Sequence, residues 1–262
     1  MEQTPTVVNE ENLYRFGGIV RLYGQKAFDK FQQAHILVVG LGGVGSWAVE
    51  ALARSGVGAF TLLDYDDVCL SNTNRQIHAT RENIGKFKTQ ALKERVLAIN
   101  PHCRIGTIEE SFSEETENFI FSQNYSLVID CIDSTKYKFF LRKACSKRDI
   151  PIVVVGAAGG RWDPSLVRVG DLSQSCEDPI LALLRKQMRQ RAAFPRKGSM
   201  RTPCVYSLEK AKYPAEDGAI CETKPESFKK PLDCTMGFGT VTAVTGTFGF
   251  MAAHLALQKL SQ

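Results

Sequence analysis

Several side chains that could bind phosphate, ribose or metal follow a glycine-rich turn in this sequence. Gly40, Gly42 and Gly45 form the pattern GxGxxG directly after the apolar run 36–39. Glycines permit a tight turn and let a phosphate approach backbone N–H groups at the start of the next helix. Asp64 follows the next apolar run, where a carboxylate can accept hydrogen bonds from ribose hydroxyls. The glycine pattern alone is a weak signal, but with Asp64 it predicts a nucleotide site.

More acids, amides and two cations follow in an order that suits phosphate chemistry. Two cations beside a nucleotide site can neutralise the charge of its phosphates. A dehydrogenase would account for the glycine turn and Asp64, but it would leave Arg75 and Lys88 unexplained. The polar residues in question are Asp64, Asp66, Asn72, Asn74, Arg75, Gln76, Lys88, Asp130 and Asp133.

Together these segments resemble the adenylating domain of the ubiquitin-activating-like superfamily, which includes the molybdopterin and thiamine sulfur-carrier adenylases. The resemblance implies that Arg75 and Lys88 hold the triphosphate of ATP and that Asp133 binds Mg²⁺. It also implies that Asn72 and Gln76 orient the phosphates. The other members of the implied ATP site are Gly40, Gly42, Gly43, Gly45, Asp64, Asp66 and Asp130.

Longer segments narrow the resemblance to the tRNA threonylcarbamoyladenosine dehydratases. These segments are 15–24, 72–79, 171–172, 204–207 and 233–239. The resemblance implies ATP-dependent activation of the threonylcarbamoyl carboxylate on the modified adenosine beside the anticodon, followed by ring closure with net loss of water. An intramolecular attack needs no external amine and benefits from a high effective concentration.

Three other functions remain as alternatives. The first is adenylation of the C-terminus of a ubiquitin-like sulfur-carrier protein. The second is a nicotinamide-dependent oxidoreductase, and the third is a non-catalytic RNA-binding module. The superfamily resemblance further implies a homodimer, a monovalent cation site (Na⁺ or K⁺) and sulfur-relay proteins as partners. Many superfamily members have an arginine that reaches ATP across the dimer where this chain has Gly18, and Arg21 is the candidate to replace it.

The net charge of +5 conceals a basic run without any acid. Such a run is usually a solvated surface, but it also suits a polyanion such as RNA. Because a tRNA substrate would explain it, we predict that the run binds tRNA. Its members are Arg185, Lys186, Arg189, Arg191, Arg196, Lys197 and Arg201.

The eight cysteines include no CxxC pair, which argues against a zinc site and a disulfide scaffold. Cys234 precedes a glycine-rich turn into the last predicted helix, and a helix N-terminus favours a thiolate. An acyl-carrying role for Cys234 is therefore one hypothesis, and a core thiol is the alternative. Cys204 and the other six cysteines are expected to be core thiols. Among the four histidines, only His78 lies beside the polar segment 72–76 in the sequence.

Alternating strand and helix patterns predict a Rossmann-like α/β fold, with a doubly wound and mostly parallel sheet. Ligands of such sheets bind at the carboxyl ends of the strands, where Gly40, Asp64, Asp130 and Gly156 fall. We expect a single adenylating domain over 1–262. Its predicted parts are an N-terminal helix at 15–32, a nucleotide-binding core at 33–170, a mobile basic insertion at about 171–231 and an apolar helical segment at 234–260.

Residues 237–257 contain no Asp, Glu, Lys or Arg and would be long enough to cross a bilayer, which needs about 20 residues. Eight of these residues are Gly or Thr, so a buried helix or helix pair is the favoured interpretation. The N-terminus lacks a basic region followed by an apolar one, which predicts a cytoplasmic protein. Membrane association through 237–257 is the alternative.

Overall fold

The protein is described here by a computed structural model that covers residues 10–215, 217–223 and 238–262. Cys234 and Asp233 lie outside the described residues. The strands of the central sheet are β1 (His35–Val39), β2 (Ala59–Leu63), β3 (Arg104–Ile108), β4 (Leu127–Asp130), β5 (Ile152–Val155), β6 (Val167–Asp171) and β7 (Pro203–Ser207). A short hairpin pairs β8 (Tyr213–Pro214) with β9 (Ile220–Cys221).

The helices are α1 (Glu10–Tyr23), α2 (Gln25–Gln33), α3 (Gly45–Arg54), α4 (Lys88–Ile99), α5 (Glu117–Ile120), α6 (Thr135–Lys147), α7 (Pro179–Arg191) and α8 (Thr242–Ser261). The seven strands lie in the order β3-β2-β1-β4-β5-β7-β6, and every neighbouring pair is parallel except β7 with β6. This arrangement confirms the predicted Rossmann-like, mostly parallel α/β fold.

The sheet has an apolar layer on each face. Apart from His35, Thr61 and Asp130, the central strands β1, β2, β4 and β5 are apolar, as expected for strands that are covered on both sides. Side chains of α1–α4 and α8 form the core on one face. Side chains of α5–α7 form it on the other face. The carboxyl ends of β1, β2, β4 and β5 therefore remain at one open edge.

The expected single helix at 15–32 is two helices. Gly24 separates α1 from α2 and has a φ of +83°, which glycine adopts at no steric cost. The apolar side chains Phe16, Phe28 and Phe31 continue to face the core across this break. Their periodicity therefore concealed the end of the first helix.

The segment expected to be an insertion contributes to the core. Helix α7 buries Leu181, Leu184 and Met188 against the sheet. Strand β7 lies between β5 and β6, and its residues Cys204–Ser207 are buried. The sequence pattern did not reveal these elements because cations and prolines interrupt the apolar residues of this segment.

The apolar C-terminal segment forms one helix, α8, which packs against α3 and against β4–β7. Its buried face includes Val244, Phe248, Ala252 and Ala256. A buried helix was the favoured interpretation, and the structure confirms it. No helix within 10–215, 217–223 and 238–262 combines the length and the apolar character that a bilayer crossing requires.

Candidate functional site

The glycine turn between β1 and α3 depends on the absence of side chains. Gly40 has a φ of +87°, and a Cβ there would lie 2.8 Å from the carbonyl oxygen of Cys131. A Cβ on Gly45 would overlap the carbonyl oxygen of Gly40. The turn therefore folds tightly and directs the start of α3 toward the open edge of the sheet, where backbone N–H groups can bind an anion.

Asp64 holds this turn in place. Its carboxylate accepts hydrogen bonds from the N–H of Leu41 at 2.6 Å and from the N–H of Asp66 at 2.9 Å. Burial raises the pKa of Asp64, while Lys88 and these two N–H groups oppose the shift. Asp64 thus fixes the position of the turn, and its predicted contact with ribose stays a prediction.

Lys88 begins α4 and brings a buried ammonium group to the two acids after β2. Its Nζ lies 2.5 Å from Oδ2 of Asp66 and 3.9 Å from Oδ1 of Asp64. The Lys88 side chain is 6% exposed, whereas that of Asp66 is 47% exposed. A phosphate that reaches the solvent side of Lys88 would compete with Asp66 for the same cation.

The polar loop after β2 carries Asn72 and Gln76 to the turn. Asn72 accepts the N–H of Cys69 through Oδ1 at 3.1 Å, so this side chain shapes the loop itself. Gln76 is buried, and its Nε2 lies 3.9 Å from the position that a Cβ on Gly42 would occupy. Its Oε1 has no hydrogen-bond partner among the described residues. Gln76 is therefore placed to contact a group bound at the turn.

Arg75 lies over Gly43, since its Cγ is 3.2 Å from where a Cβ on Gly43 would be. Its Nη1 donates to the carbonyl oxygen of Ser71 at 2.6 Å and to Oδ1 of Asn74 at 3.0 Å. The indole Nε1 of Trp47 donates to the Arg75 carbonyl oxygen at 3.0 Å. The guanidinium is thus held beside the glycine turn and remains partly exposed.

Two further hydrogen bonds fix this loop, and the sequence analysis did not predict them. The side chain of Asn74 donates to the carbonyl oxygen of Thr240 at 2.9 Å. Thr242 donates through Oγ1 to the carbonyl oxygen of Asn74 at 2.6 Å. Thr240 and Thr242 thus tie the loop to the start of α8, and Trp47 ties it to α3. No local pattern signals the two threonine contacts, because the partners are about 170 residues apart in the chain.

Asp130 differs from the expectation that it contacts ATP. It is fully buried, and Oδ1 accepts hydrogen bonds from Nζ of Lys138 at 2.8 Å and from the N–H of Ile132 at 3.0 Å. Burial raises its pKa, and Lys138 opposes the shift. The pair Asp130–Lys138 therefore anchors the loop between β4 and α6 from beneath the site.

Asp133, in contrast, is exposed at the end of that loop. The pKa of Tyr65 is raised first by the charge of Asp66, then by burial and by the charges of Asp133 and Asp64. The negative charges of these three carboxylates therefore all act on the Tyr65 phenol at the open edge. Mg²⁺ commonly binds one or two carboxylates together with water and phosphate oxygens, so this donor set fits the ion. Within the described ranges, no cluster of three His, Cys, Asp or Glu could hold a metal by itself.

The seven cations of the basic run do not share one environment. Arg185 donates to the carbonyl oxygens of Leu172 and Ser175, and the guanidinium of Arg191 lies 4.9 Å from the centroid of the Phe139 ring. Arg189 donates to the carbonyl oxygen of Pro195. These contacts give part of the run a structural role. The exposed members are Lys186, Arg191, Arg196, Lys197 and Arg201.

Cysteine and histidine environments differ in part from expectation. Burial raises the pKa of Cys204 to about 12, as expected for a core thiol. Cys69 and Cys176 are exposed and do not fit that expectation, because both lie in polar loops.

His78 is 1% exposed, and its ring nitrogens have no hydrogen-bond partner within the described part of the chain. Burial, with Lys88 and Arg95, lowers its pKa to about 4.

A model of the ThiF family matches residues 17–262. The chain belongs to the ThiF family. This ThiF-family protein is 46% identical over 257 residues to the tRNA threonylcarbamoyladenosine dehydratase of Escherichia coli, and the match covers 97% of this chain and 96% of that protein. The predicted resemblance to these dehydratases is thereby confirmed.

Solved structures of E. coli TcdA, a tRNA N6-threonylcarbamoyladenosine dehydratase, share the fold of this ThiF-family protein. The structure in complex with ATP has a TM-score of 0.85 and 42% identity. The complex with AMP also has a TM-score of 0.85, with 43% identity. Each match covers 97% of both chains. The likeness therefore extends over the whole described sheet and both helical layers.

Proposed function

We propose that this protein uses ATP to dehydrate the threonylcarbamoyl group of the modified adenosine next to the anticodon in tRNA, by activating its carboxylate. The observation that carries the proposal is that Arg75 lies over Gly43 and Gln76 beside Gly42, while Lys88 pairs with Asp66 and lies near Asp64, the acid that holds the turn. A dinucleotide site of a dehydrogenase would not require this pair of cations. The names of the similar E. coli proteins and their ATP and AMP complexes support the same activity.

The chemistry follows from the charges at the open edge. A carboxylate oxygen of the substrate attacks the α-phosphorus, and the bond from that phosphorus to the bridging oxygen breaks, so that pyrophosphate leaves. In this proposal Arg75 and Lys88 stabilise the negative charge that develops on the phosphates. Aligned donors of this kind typically lower a barrier by about 3 to 4 kcal/mol each.

Ring closure then completes the dehydration. A ureido nitrogen or oxygen attacks the acyl carbon, the acyl–oxygen bond breaks, and AMP departs with the former carboxylate oxygen. The ureido proton passes to solvent. The elements of water are thus divided between AMP and solvent, which accounts for the net loss of one water from the nucleoside. The AMP complex of the E. coli relative favours AMP over phosphate transfer.

Asp133 is the proposed ligand of Mg²⁺, and phosphate oxygens of ATP together with water would complete the coordination of the ion. When bound, the ion would neutralise phosphate charge.

A monovalent cation site is proposed from family resemblance, and Cys234 as an acyl carrier stays a hypothesis. We further propose a cytoplasmic homodimer, with Arg21 in place of the cross-dimer arginine and with sulfur-relay proteins as candidate partners.

The substrate class can be tested by competition. We expect tRNA that carries threonylcarbamoyladenosine to stimulate release of pyrophosphate and AMP from ATP, and unmodified tRNA to have no such effect. A ubiquitin-like protein with a Gly-Gly tail should also be inactive. Pyrophosphate exchange that depends on the Gly-Gly protein and not on tRNA would instead establish the sulfur-carrier activity.

A further inference from the structure

An exposed indole ring lies under a lysine at the open edge of the sheet. Trp162 is 58% exposed, which is unusual for so large an apolar side chain. Nζ of Lys212 is 2.9 Å from the centroid of its ring. Lys212 also lies 3.8 Å from Glu209, so the ammonium has both an aromatic and a carboxylate neighbour.

Buried charges hold the backbone that presents this ring. The carboxylate of Glu209, a residue that is 8% exposed, accepts the N–H of Trp162 at 3.1 Å and the N–H of Asp163 at 3.0 Å. Arg161 is 3% exposed and donates to the carbonyl oxygens of Ala157, Glu177 and Glu209. The exposed indole is therefore presented by a rigid loop, which lowers the entropy lost when a ligand binds.

The loop that carries Trp162, residues 156–163, is connected to the proposed ATP site. It follows β5, which is two strands away from β1, or about 10 Å at the usual strand spacing. Gly160 donates its N–H to the carbonyl oxygen of Gly239 at 2.8 Å. The adjacent Thr240 accepts the side chain of Asn74, the residue before Arg75. A ligand on Trp162 would thus lie on the same edge as the glycine turn, on the far side of β4.

We propose that Trp162 and Lys212 form a binding site for an unpaired nucleotide of the substrate RNA, namely one in the anticodon loop. The base stacks on the indole, and the ammonium of Lys212 moves from the ring face to the phosphate of that nucleotide. Single-stranded RNA bases are commonly bound by aromatic stacking with a nearby cation. This inference rests on the proposed function, because it assigns part of the tRNA substrate to these two residues.

Binding measurements with an anticodon stem–loop test the site directly. We expect Trp162→Ala to weaken binding about 10-fold to 100-fold, as is typical when a stacking aromatic is removed. Trp162→Phe should retain most of the affinity, and Lys212→Met should weaken binding and reduce its salt dependence. Phe119→Ala is the matched control. Phe119 is an aromatic residue that is 65% exposed on α5, and α5 precedes the amino end of β4, whereas the proposed site lies at the carboxyl ends of the strands. Calorimetry should show unchanged ATP affinity in all four variants.

Fluorescence gives a second readout that does not depend on the Ala variant. The chain has two tryptophans, Trp47 and Trp162. Stacking of a base should quench the emission of Trp162, so the stem–loop should quench the wild-type protein and not Trp162→Phe. Equal quenching in both proteins would contradict the proposal.

The outcomes separate this inference from the proposed function. A wild-type protein that binds and dehydrates tRNA, with Trp162→Ala equal to it in stem–loop affinity, would overturn only the nucleotide site. A wild-type protein that neither binds nor dehydrates tRNA would overturn the proposed function and this site with it. Protection of Trp162 by a protein partner and not by RNA would also overturn the site.

Discussion

Among single residues, Lys88 carries the sharpest functional prediction. Its ammonium is buried beside Asp64 and Asp66, so no other described side chain is placed to supply the same charge there. We expect Lys88→Met to reduce ATP-dependent turnover at least about 100-fold, because a charge-stabilising donor is lost. Initial rates of AMP release with the modified tRNA provide the measurement.

Lys86→Met is the matched control for that substitution. Lys86 lies two residues earlier and forms an exposed ion pair with Glu94. Exposed pairs contribute little to stability, so this variant should retain wild-type activity. Equal rates of AMP release for the Lys88→Met variant and the wild type, with circular dichroism showing that both proteins are folded, would mean that Lys88 is not part of the ATP site.

His78 predicts a particular dependence of stability on pH. Its pKa in the folded protein is about 4, whereas an unfolded histidine titrates at about 6.5. Between these values the unfolded chain binds more protons, so the free energy of unfolding should fall as the pH decreases from 6.5 to 4. The slope should approach about 1 kcal/mol per pH unit.

His78→Phe should flatten this slope, since it removes the buried titrating group. Urea unfolding between pH 4 and pH 7 is the measurement, and His102→Phe is the control because His102 is exposed. A slope that is unchanged by His78→Phe, or flattened equally by both substitutions, would refute the assignment to His78.

For the secondary-structure elements, the start of α7 shows how a helix is fixed to the sheet. Asp178 accepts the N–H of Leu181 at 3.0 Å as the helix cap, and it accepts the N–H of Ala157 after β5 at 2.8 Å. Removal of an N-cap costs about 0.5 to 2 kcal/mol. We expect Asp178→Ala to lower the free energy of unfolding by at least that amount.

Asp178→Asn separates the contribution of the N-cap hydrogen bond to stability from that of the carboxylate charge. Asparagine keeps one acceptor oxygen, so it should preserve the bond to Leu181 and lose less stability than alanine. Thermal unfolding of the two variants is the comparison. If both variants were as stable as the wild type, α7 would not depend on this cap.

The elements that the sequence predicted are those with strong local patterns. The runs at 36–39 and 152–155 are apolar throughout and the run at 59–63 is apolar except for Thr61, and each became a buried parallel strand. The break at Gly24 was missed, because the apolar face continues across it. Strand β7 was missed because cations and prolines surround it and because its neighbours in the sheet, β5 and β6, lie more than 30 residues earlier in the chain.

The site followed the same division. The glycine turn was recognisable from residue type and spacing, and the resemblance to a known family pointed to Arg75 and Lys88. The burial of Asp130 against Lys138 was not, since both residues are polar and only the fold determines which carboxylate reaches solvent. Likewise, the contacts of Asn74 with Thr240 and Thr242 join distant parts of the chain. Tertiary contacts of this kind leave no trace in local patterns.

At the scale of the whole molecule, charge should govern binding of the tRNA. Arg196 and Lys197 are exposed members of the basic run, whereas Arg185 is engaged by backbone carbonyls. We expect Arg196→Gln with Lys197→Gln to weaken tRNA binding and to reduce the slope of log affinity against log salt by roughly 0.7 to 0.9 for each lost phosphate contact. Filter binding at several salt concentrations measures both.

Lys26→Gln is the control for this pair, because Lys26 is exposed on α2 and belongs to the layer on the other face of the sheet. It should leave the salt slope unchanged. An identical slope for the double variant and the wild type would mean that Arg196 and Lys197 do not contact the tRNA.

ATP bound at the glycine turn should drive the loss of water from the modified nucleoside. Mass spectrometry of nucleosides from modified tRNA, after incubation with the protein, ATP and Mg²⁺, tests it most directly. We predict that threonylcarbamoyladenosine loses the mass of one water and that the Lys88→Met protein leaves it intact. An unchanged nucleoside mass, with protein that binds both ATP and the tRNA, would contradict the account.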